Sequence, residues 1–107
     1  MKNKEKVSKF NWEDFTSKVL DNSKRKYGKK KFGELYYSNA LCGEAGELAN
    51  YIKKRARGDK KPPTNKICGK EIADVIMYSI HLANNMGIDL PKALTAKLKE
   101  VQKRKVK

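Results

Sequence analysis

The sequence predicts an all-α fold, an antiparallel bundle of about four helices. Apolar residues recur at helical spacing in four segments, capping residues separate these segments, and no segment has the alternation typical of a strand. The chain has 107 residues, of which 38% are apolar and 36% charged. Because a chain of this size buries only a modest core, we expect oligomerisation to complete the bundle.

The first helix is predicted to begin near Asn11, a good N-cap that two acidic residues follow, and to end by Gly28. The second is predicted from about Glu34 to Arg57. The loop that follows, 60–65, contains two consecutive prolines and cannot be helical. The apolar stripes of these two helices are Trp12, Phe15, Val19 and Leu20 in the first, and Leu41, Ala45, Leu48 and Ile52 in the second.

The third helix, predicted over 66–86, has an apolar side and a polar side. Gly87 is a natural residue to end it, Asp89 a natural N-cap, and Pro91 fits the first turn of a fourth helix. Met77 and Ile80 widen the apolar side, and we expect a lone subunit to leave them exposed. The polar side consists of Glu71, Asp74, Tyr78, His81 and Asn85.

We expect one helical domain over residues 10–104, with a mobile basic tail at 1–9 and a basic end at 105–107. No secretion signal or membrane-spanning stretch is recognisable, which favours a soluble, cytoplasmic protein without membrane contact. Cys42 and Cys68 lack metal-site spacing and are predicted to be reduced.

The net charge of +14 allows two interpretations. A basic surface can bind nucleic acid or another polyanion through counterion release. It can also be a solvated surface that steers a small anionic substrate. We favour the second, because no motif for reading a nucleic-acid groove accompanies the charge.

Two acidic pairs carry the chemistry. Glu44 and Glu47 lie three residues apart in GEAGELAN, and Glu71 and Asp74 are spaced in the same way in KEIADVIM. Residues at this spacing share a helix face, so two facing helices would bring four carboxylates together. Oxygen ligands suit Mg²⁺, Mn²⁺ or Ca²⁺, which points to phosphate chemistry. The alternative is that these acids form surface ion pairs with the many lysines.

GEAGELANYIKK, then EIADVIMY and LANNMGIDL, resembles the MazG-like all-α nucleoside triphosphate pyrophosphohydrolases over residues 30 to 100. The family pattern, ExxE followed by ExxD, matches Glu44, Glu47, Glu71 and Asp74. The resemblance implies dimers or tetramers that hydrolyse (d)NTP to the monophosphate and pyrophosphate. It also implies Mg²⁺, with Mn²⁺ as a substitute, held by these four acids.

Individual residues are candidates for roles in this reaction, and Tyr78 resembles a position that contacts the sugar or base in relatives. Glu44 or Glu47 would take a proton from the attacking water, and the sequence leaves this choice open. Lys53 and Lys54 could contact phosphate oxygens, or could simply lie in a solvated helix end. Candidates for the nucleoside are Tyr78, Asn39, Trp12 and the aromatic group Phe32, Tyr36 and Tyr37, each with packing as the alternative use.

Overall fold

The computed structural model describes residues 9–28 and 31–104. These residues form helices and no strand, which confirms the all-α prediction. Residues 1–8 of the basic tail and residues 105–107 lie outside the described ranges. None of the described helices combines the length and hydropathy that a bilayer span requires. The helices are α1 (Trp12–Tyr27), α2 (Glu34–Ala56), α3 (Asn65–Met86) and α4 (Leu90–Gln102).

Capping residues fix the helix ends. Asn11, Thr64 and Asp89 are the N-caps of α1, α3 and α4, and each side chain accepts a hydrogen bond from the backbone N–H three residues later, at 2.8, 3.2 and 3.1 Å respectively. Gly87 ends α3 with φ of 71°, in the left-handed region. The predicted boundaries are therefore confirmed to within a residue or two.

The chain divides into two units, Met1–Lys31 and Phe32–Lys107. In the first unit, Val19 of α1 is buried. Phe10, Trp12 and Phe15 pack together with ring centroids 5.4 to 6.4 Å apart. The prediction of one domain over 10–104 stays a prediction.

In the second unit, α2 and α3 pack as an antiparallel hairpin. Near the start of α2, the Tyr37 ring stacks on His81, late in α3, with centroids 4.9 Å apart. Near the end of α2, Nη1 of Arg55 lies 3.7 Å from Sγ of Cys68, early in α3. These two contacts fix the direction of the helices and the register of residues between them.

The buried apolar side chains of this unit are few: Cys68, Ile80 and Ala83 among the described residues. The expectation that a lone subunit exposes Ile80 is wrong, because Ile80 faces the core and is only 4% exposed. Both cysteines are free, as predicted. Large apolar side chains remain exposed on the last two helices: Ile67, Ile72, Ile76 and Met86 on α3, and Leu94, Leu98 and Val101 on α4.

Candidate active site

Three carboxylates meet between α2 and α3. The hairpin register places Glu44, near the middle of α2, opposite Glu71 and Asp74 of α3. One ligand oxygen from each lies within 4.8 Å of the others, and all three side chains are half-buried. We call Glu44, Glu71 and Asp74 the acid cluster. The two predicted pairs thus lie on facing helices, and three of their four acids come together.

Glu71 has the most perturbed carboxyl group of the cluster. Its pKa is raised to about 7, first by a hydrogen bond shared with Glu44, then by burial and by the negative charges of Glu44, Asp74 and Glu47. Its Oε1 atom is shielded from solvent and has no hydrogen-bond partner among the described residues. A shielded oxygen without a partner costs free energy, so this atom is poised for a ligand.

Glu47, the fourth acid, lies outside the acid cluster. Its Oε2 accepts a hydrogen bond from the Tyr51 hydroxyl at 3.2 Å. The pKa of Tyr51 is raised, chiefly by the negative charge of Glu47, so the phenol keeps its proton. Lys54 adds a cation above the Tyr51 ring, with Nζ 5.9 Å from the centroid. Tyr51 is not among the residues predicted from the sequence, although its position four residues after Glu47 could have pointed to it.

None of the four acids forms an ion pair in the part of the chain that the structure describes. The surface ion pairs there use other acids: Lys18–Asp14, Arg57–Asp59, Lys97–Glu100 and Arg104–Glu100. Among the described residues, lysines therefore do not neutralise the two acidic motifs through surface ion pairs, as the alternative interpretation had it.

The acid cluster fits a hard divalent cation. All of its donors are carboxylate oxygens, which Mg²⁺ and Mn²⁺ prefer. No described residue donates a hydrogen bond to Oε1 of Glu71, and a bound cation would be a partner for this oxygen. The mutual repulsion of the cluster, which raises the pKa of Glu71, would also be relieved by positive charge.

The other predicted site residues are spread along the helices and differ in burial. Lys53 and Asn39 are exposed on α2, and Tyr78 is half-buried one turn beyond Asp74 on α3. Lys54 is half-buried against Tyr51. Trp12 belongs to the first unit and packs there with Phe10 and Phe15. Their contacts with substrate stay predictions.

The predicted aromatic group forms a stack at the open end of the hairpin. Phe32 stacks on Tyr36 at 4.3 Å, and Tyr37 stacks on His81. Asn85 donates a hydrogen bond from Nδ2 to the Phe32 carbonyl at 3.0 Å. Burial lowers the pKa of His81, which favours the neutral imidazole. These contacts join the start of α2 to the end of α3, as the packing interpretation expects.

The α2–α3 hairpin and its half-buried acid cluster agree with one class of protein, the all-α nucleotide pyrophosphohydrolases. Residues 32–107 match the family model of the MazG nucleotide pyrophosphohydrolase domain. The chain belongs to this family and is a hydrolase acting on nucleotide pyrophosphate bonds. Members of the family generally depend on a divalent metal, in agreement with the acid cluster.

A solved structure agrees with this assignment. The chain is similar to the crystal structure of YPJD from Bacillus subtilis, a proposed pyrophosphatase, with 27% identity and a TM-score of 0.69. The similarity covers 92% of this chain and 100% of that one. No curated protein matched the sequence.

Proposed function

We propose that this protein is a Mg²⁺-dependent nucleoside triphosphate pyrophosphohydrolase that converts (d)NTP and water into (d)NMP and pyrophosphate. The observation that carries the proposal is the acid cluster, whose ligand oxygens lie within 4.8 Å of one another. The partnerless Oε1 of Glu71 supports a cation there. Family membership supports the reaction class.

Glu44, Glu71 and Asp74 would hold Mg²⁺, with Mn²⁺ as a substitute, and Glu47 can add a fourth ligand. When bound, the cation offsets the triphosphate charge and activates water. Glu47 is the better candidate for the general base, because Glu44 already faces Glu71. In the chemical step the water oxygen bonds to the α-phosphorus, its proton passes to Glu47, and pyrophosphate leaves with the electron pair of the broken P–O bond.

The substrate would extend from the acid cluster along the hairpin. Lys53 and Lys54, about two turns beyond Glu47, are proposed to contact phosphate oxygens. Tyr78 and Asn39 are proposed to contact the nucleoside, and the same role for Trp12 stays a prediction from the sequence. We place this activity in the cytoplasm, where nucleoside triphosphates are abundant.

A homodimer or homotetramer completes the proposal. The described second unit buries few apolar side chains, whereas Ile72 and Ile76 are 49% and 43% exposed on α3. Leu94 and Leu98 are exposed on α4 to a similar degree. A second copy of the chain would cover such surface and could add residues to each nucleotide pocket.

The test is an assay of Mg²⁺-dependent pyrophosphate release with the eight common NTPs and dNTPs. We expect Asp74→Asn and Glu47→Gln each to lower turnover by at least about a hundredfold, since each loses a metal ligand or a base. Helix content by circular dichroism should not change. Glu100→Gln, which changes an exposed acid of α4, is the matched control and should retain activity.

Wild-type turnover in both site variants would contradict the assignment. The competing function is a non-catalytic basic module that binds nucleic acid or another polyanion. It would be favoured by absence of pyrophosphate release together with micromolar DNA binding at physiological salt.

A further inference from the structure

We propose that the closed end of the α2–α3 hairpin is a docking surface for duplex nucleic acid, which it binds through the phosphate backbone without reading base sequence. This surface, the basic tip, comprises residues 53–70: the end of α2, the connecting loop and the first turns of α3. Its basic residues are Lys53, Lys54, Arg55, Arg57, Lys60, Lys61, Lys66 and Lys70. Against these eight stands one acid, Asp59, so the basic tip carries a net charge of +7, half of the +14 of the whole chain.

The single acid of the basic tip is already neutralised within the chain. Arg57 donates two hydrogen bonds to Asp59, from Nε to Oδ1 at 2.6 Å and from Nη2 to Oδ2 at 3.0 Å. The hydrogen bond from Arg57 lowers the pKa of the Asp59 carboxyl, which therefore stays ionised. The other seven cations form no ion pair with any described residue. Their positive charge is left for a partner to compensate.

Helix stabilisation accounts for only part of this charge. The cations in the last turn of α2 suit the helix dipole. Lys66, in the first turn of α3, opposes the dipole, and that turn contains no acid. Lys60 and Lys61 lie in the loop, exposed and outside both helices. These three lysines repel their neighbours without a stabilising partner among the described residues, which is typical of a surface that meets a polyanion.

The loop that carries two of these lysines is held in one conformation. Gly58 follows α2 with φ of 79°, and its N–H donates to the Arg55 carbonyl at 3.2 Å. The N–H of Asp59 donates to the Lys54 carbonyl, also at 3.2 Å. Two consecutive prolines then lead to Thr64, the N-cap of α3. A surface arranged in advance loses little conformational entropy when a partner binds.

The nucleotide substrate uses only the inner edge of the basic tip. Lys53 and Lys54 are the proposed phosphate contacts, and the divalent cation offsets part of the triphosphate charge. One triphosphate therefore cannot compensate seven cations spread over two helix ends and a loop. A nucleic-acid duplex can, because it presents one negative charge per about 1.7 Å of its axis.

The composition of the basic tip favours a duplex over other polyanions. Residues 53–70 include no aromatic side chain, whereas surfaces for single strands use aromatic rings as stacking platforms. The loop 57–65 has no leucine, isoleucine, valine, methionine or aromatic residue that would insert into a lipid surface. Lysines that contact phosphates position a duplex but carry no base specificity, so binding should be independent of sequence.

The test measures fluorescence anisotropy of labelled duplexes of about 20 base pairs over a range of salt concentrations. We expect wild-type dissociation constants in the micromolar range, similar for duplexes of different sequence. The triple variant Lys60→Gln, Lys61→Gln, Lys66→Gln should bind at least about tenfold more weakly. It should also reduce the slope of log K against log salt by about 2 to 3, because each lost phosphate contact removes about 0.9. Duplex DNA and duplex RNA are both measured, and the tighter complex identifies the partner.

The matched control removes the same charge elsewhere. The triple variant Lys92→Gln, Lys99→Gln, Lys103→Gln changes exposed lysines in and just after α4 and should weaken binding by less than about twofold. Equal weakening by both triple variants would show that total charge holds the duplex, and would overturn the proposal. Arginine at the three positions of the basic tip retains the charge and should restore wild-type binding.

Three other results would overturn the proposal: no duplex binding at physiological salt, tighter binding of a single strand of the same length, or binding only to vesicles of phosphatidylcholine and phosphatidylserine. Circular dichroism and melting temperature should be unchanged in the variant of the basic tip, because the substituted side chains are exposed. Its kcat for pyrophosphate release, without nucleic acid, should equal that of wild type. The anisotropy measurement needs no turnover, so it decides this proposal separately from the proposed function.

Discussion

At the scale of single residues, Glu71 links the fold to the chemistry. Its carboxyl group is shielded at one oxygen, shares a hydrogen bond with Glu44 and lies in the field of two further acids. The protein stabilises the protonated form of this group unless positive charge is supplied. A cluster arranged in this way therefore couples cation binding to proton release.

This coupling predicts a pH dependence of stability. The folded pKa of Glu71, about 7, exceeds its ordinary value of 4.5, so its contribution to stability is present below that ordinary value and is lost as pH rises through about 7. In EDTA, the wild-type melting temperature should fall over this range relative to Glu71→Gln, whose amide does not titrate. Differential scanning fluorimetry of the two proteins measures the difference.

The same titration sets the response to Mg²⁺. Since binding needs the deprotonated cluster, millimolar Mg²⁺ should raise the wild-type melting temperature more at about pH 8 than at about pH 6. Glu100→Gln should behave as wild type in both experiments. A melting temperature indifferent to Mg²⁺ and Mn²⁺ at every pH would count against a metal site.

At the scale of elements, the α2–α3 hairpin positions the site, and its ends are set by local chemistry. Arg55 and Cys68 meet near the closed end, Tyr37 and His81 near the open end, and the acid cluster lies between them. A shift of one helix by a turn would move Glu44 by about 5.4 Å and separate it from α3's acids. The packing that fixes register is thus also what makes the site.

Gly69, inside α3, and Gly87, which ends this helix, should respond oppositely to alanine. Gly87 has φ of 71° and open space around a Cβ, so Gly87→Ala should cost about 1 kcal/mol through backbone strain alone. Gly69, inside the helix with equally open space, lacks a positive φ, so Gly69→Ala should stabilise by about 0.5–1 kcal/mol. Urea unfolding of both variants measures these changes. Equal signs would show that the helix end is not fixed by Gly87.

At the scale of the whole molecule, exposed apolar surface predicts assembly. Burial of an exposed isoleucine in an interface contributes a favourable free energy of about 25 cal/mol per Å² of apolar area. We expect light scattering at micromolar concentration to give a mass of at least twice the chain's 12.2 kDa. Ile76→Lys should shift the protein toward monomer, whereas Asn50→Lys, at an exposed polar position of α2, should not. An active monomer would contradict the proposed assembly.

The net charge of +14 also acts at this scale. A triphosphate is a polyanion, and a positive field raises its local concentration in a manner that salt screens. KM should therefore rise with ionic strength while kcat stays nearly constant. A parallel fall of kcat would indicate that salt acts on the chemical step or on cation binding, and not on capture.

The sequence by itself determined the helices and the identity of the acids. N-caps such as Asp89, a terminating Gly87 and the helical spacing of apolar residues are local signals, because they depend on neighbours within one or two turns. The i, i+3 spacing in turn indicated that each acidic pair shares a face. These local rules also predicted the two acidic motifs on facing helices.

Only the tertiary structure decided which of these residues meet. The register of α2 against α3 depends on contacts between residues far apart in sequence, such as Tyr37 with His81, and no local rule sets it. It brought Glu44 to Glu71 and Asp74, and it buried Ile80, which we had expected a lone subunit to leave exposed.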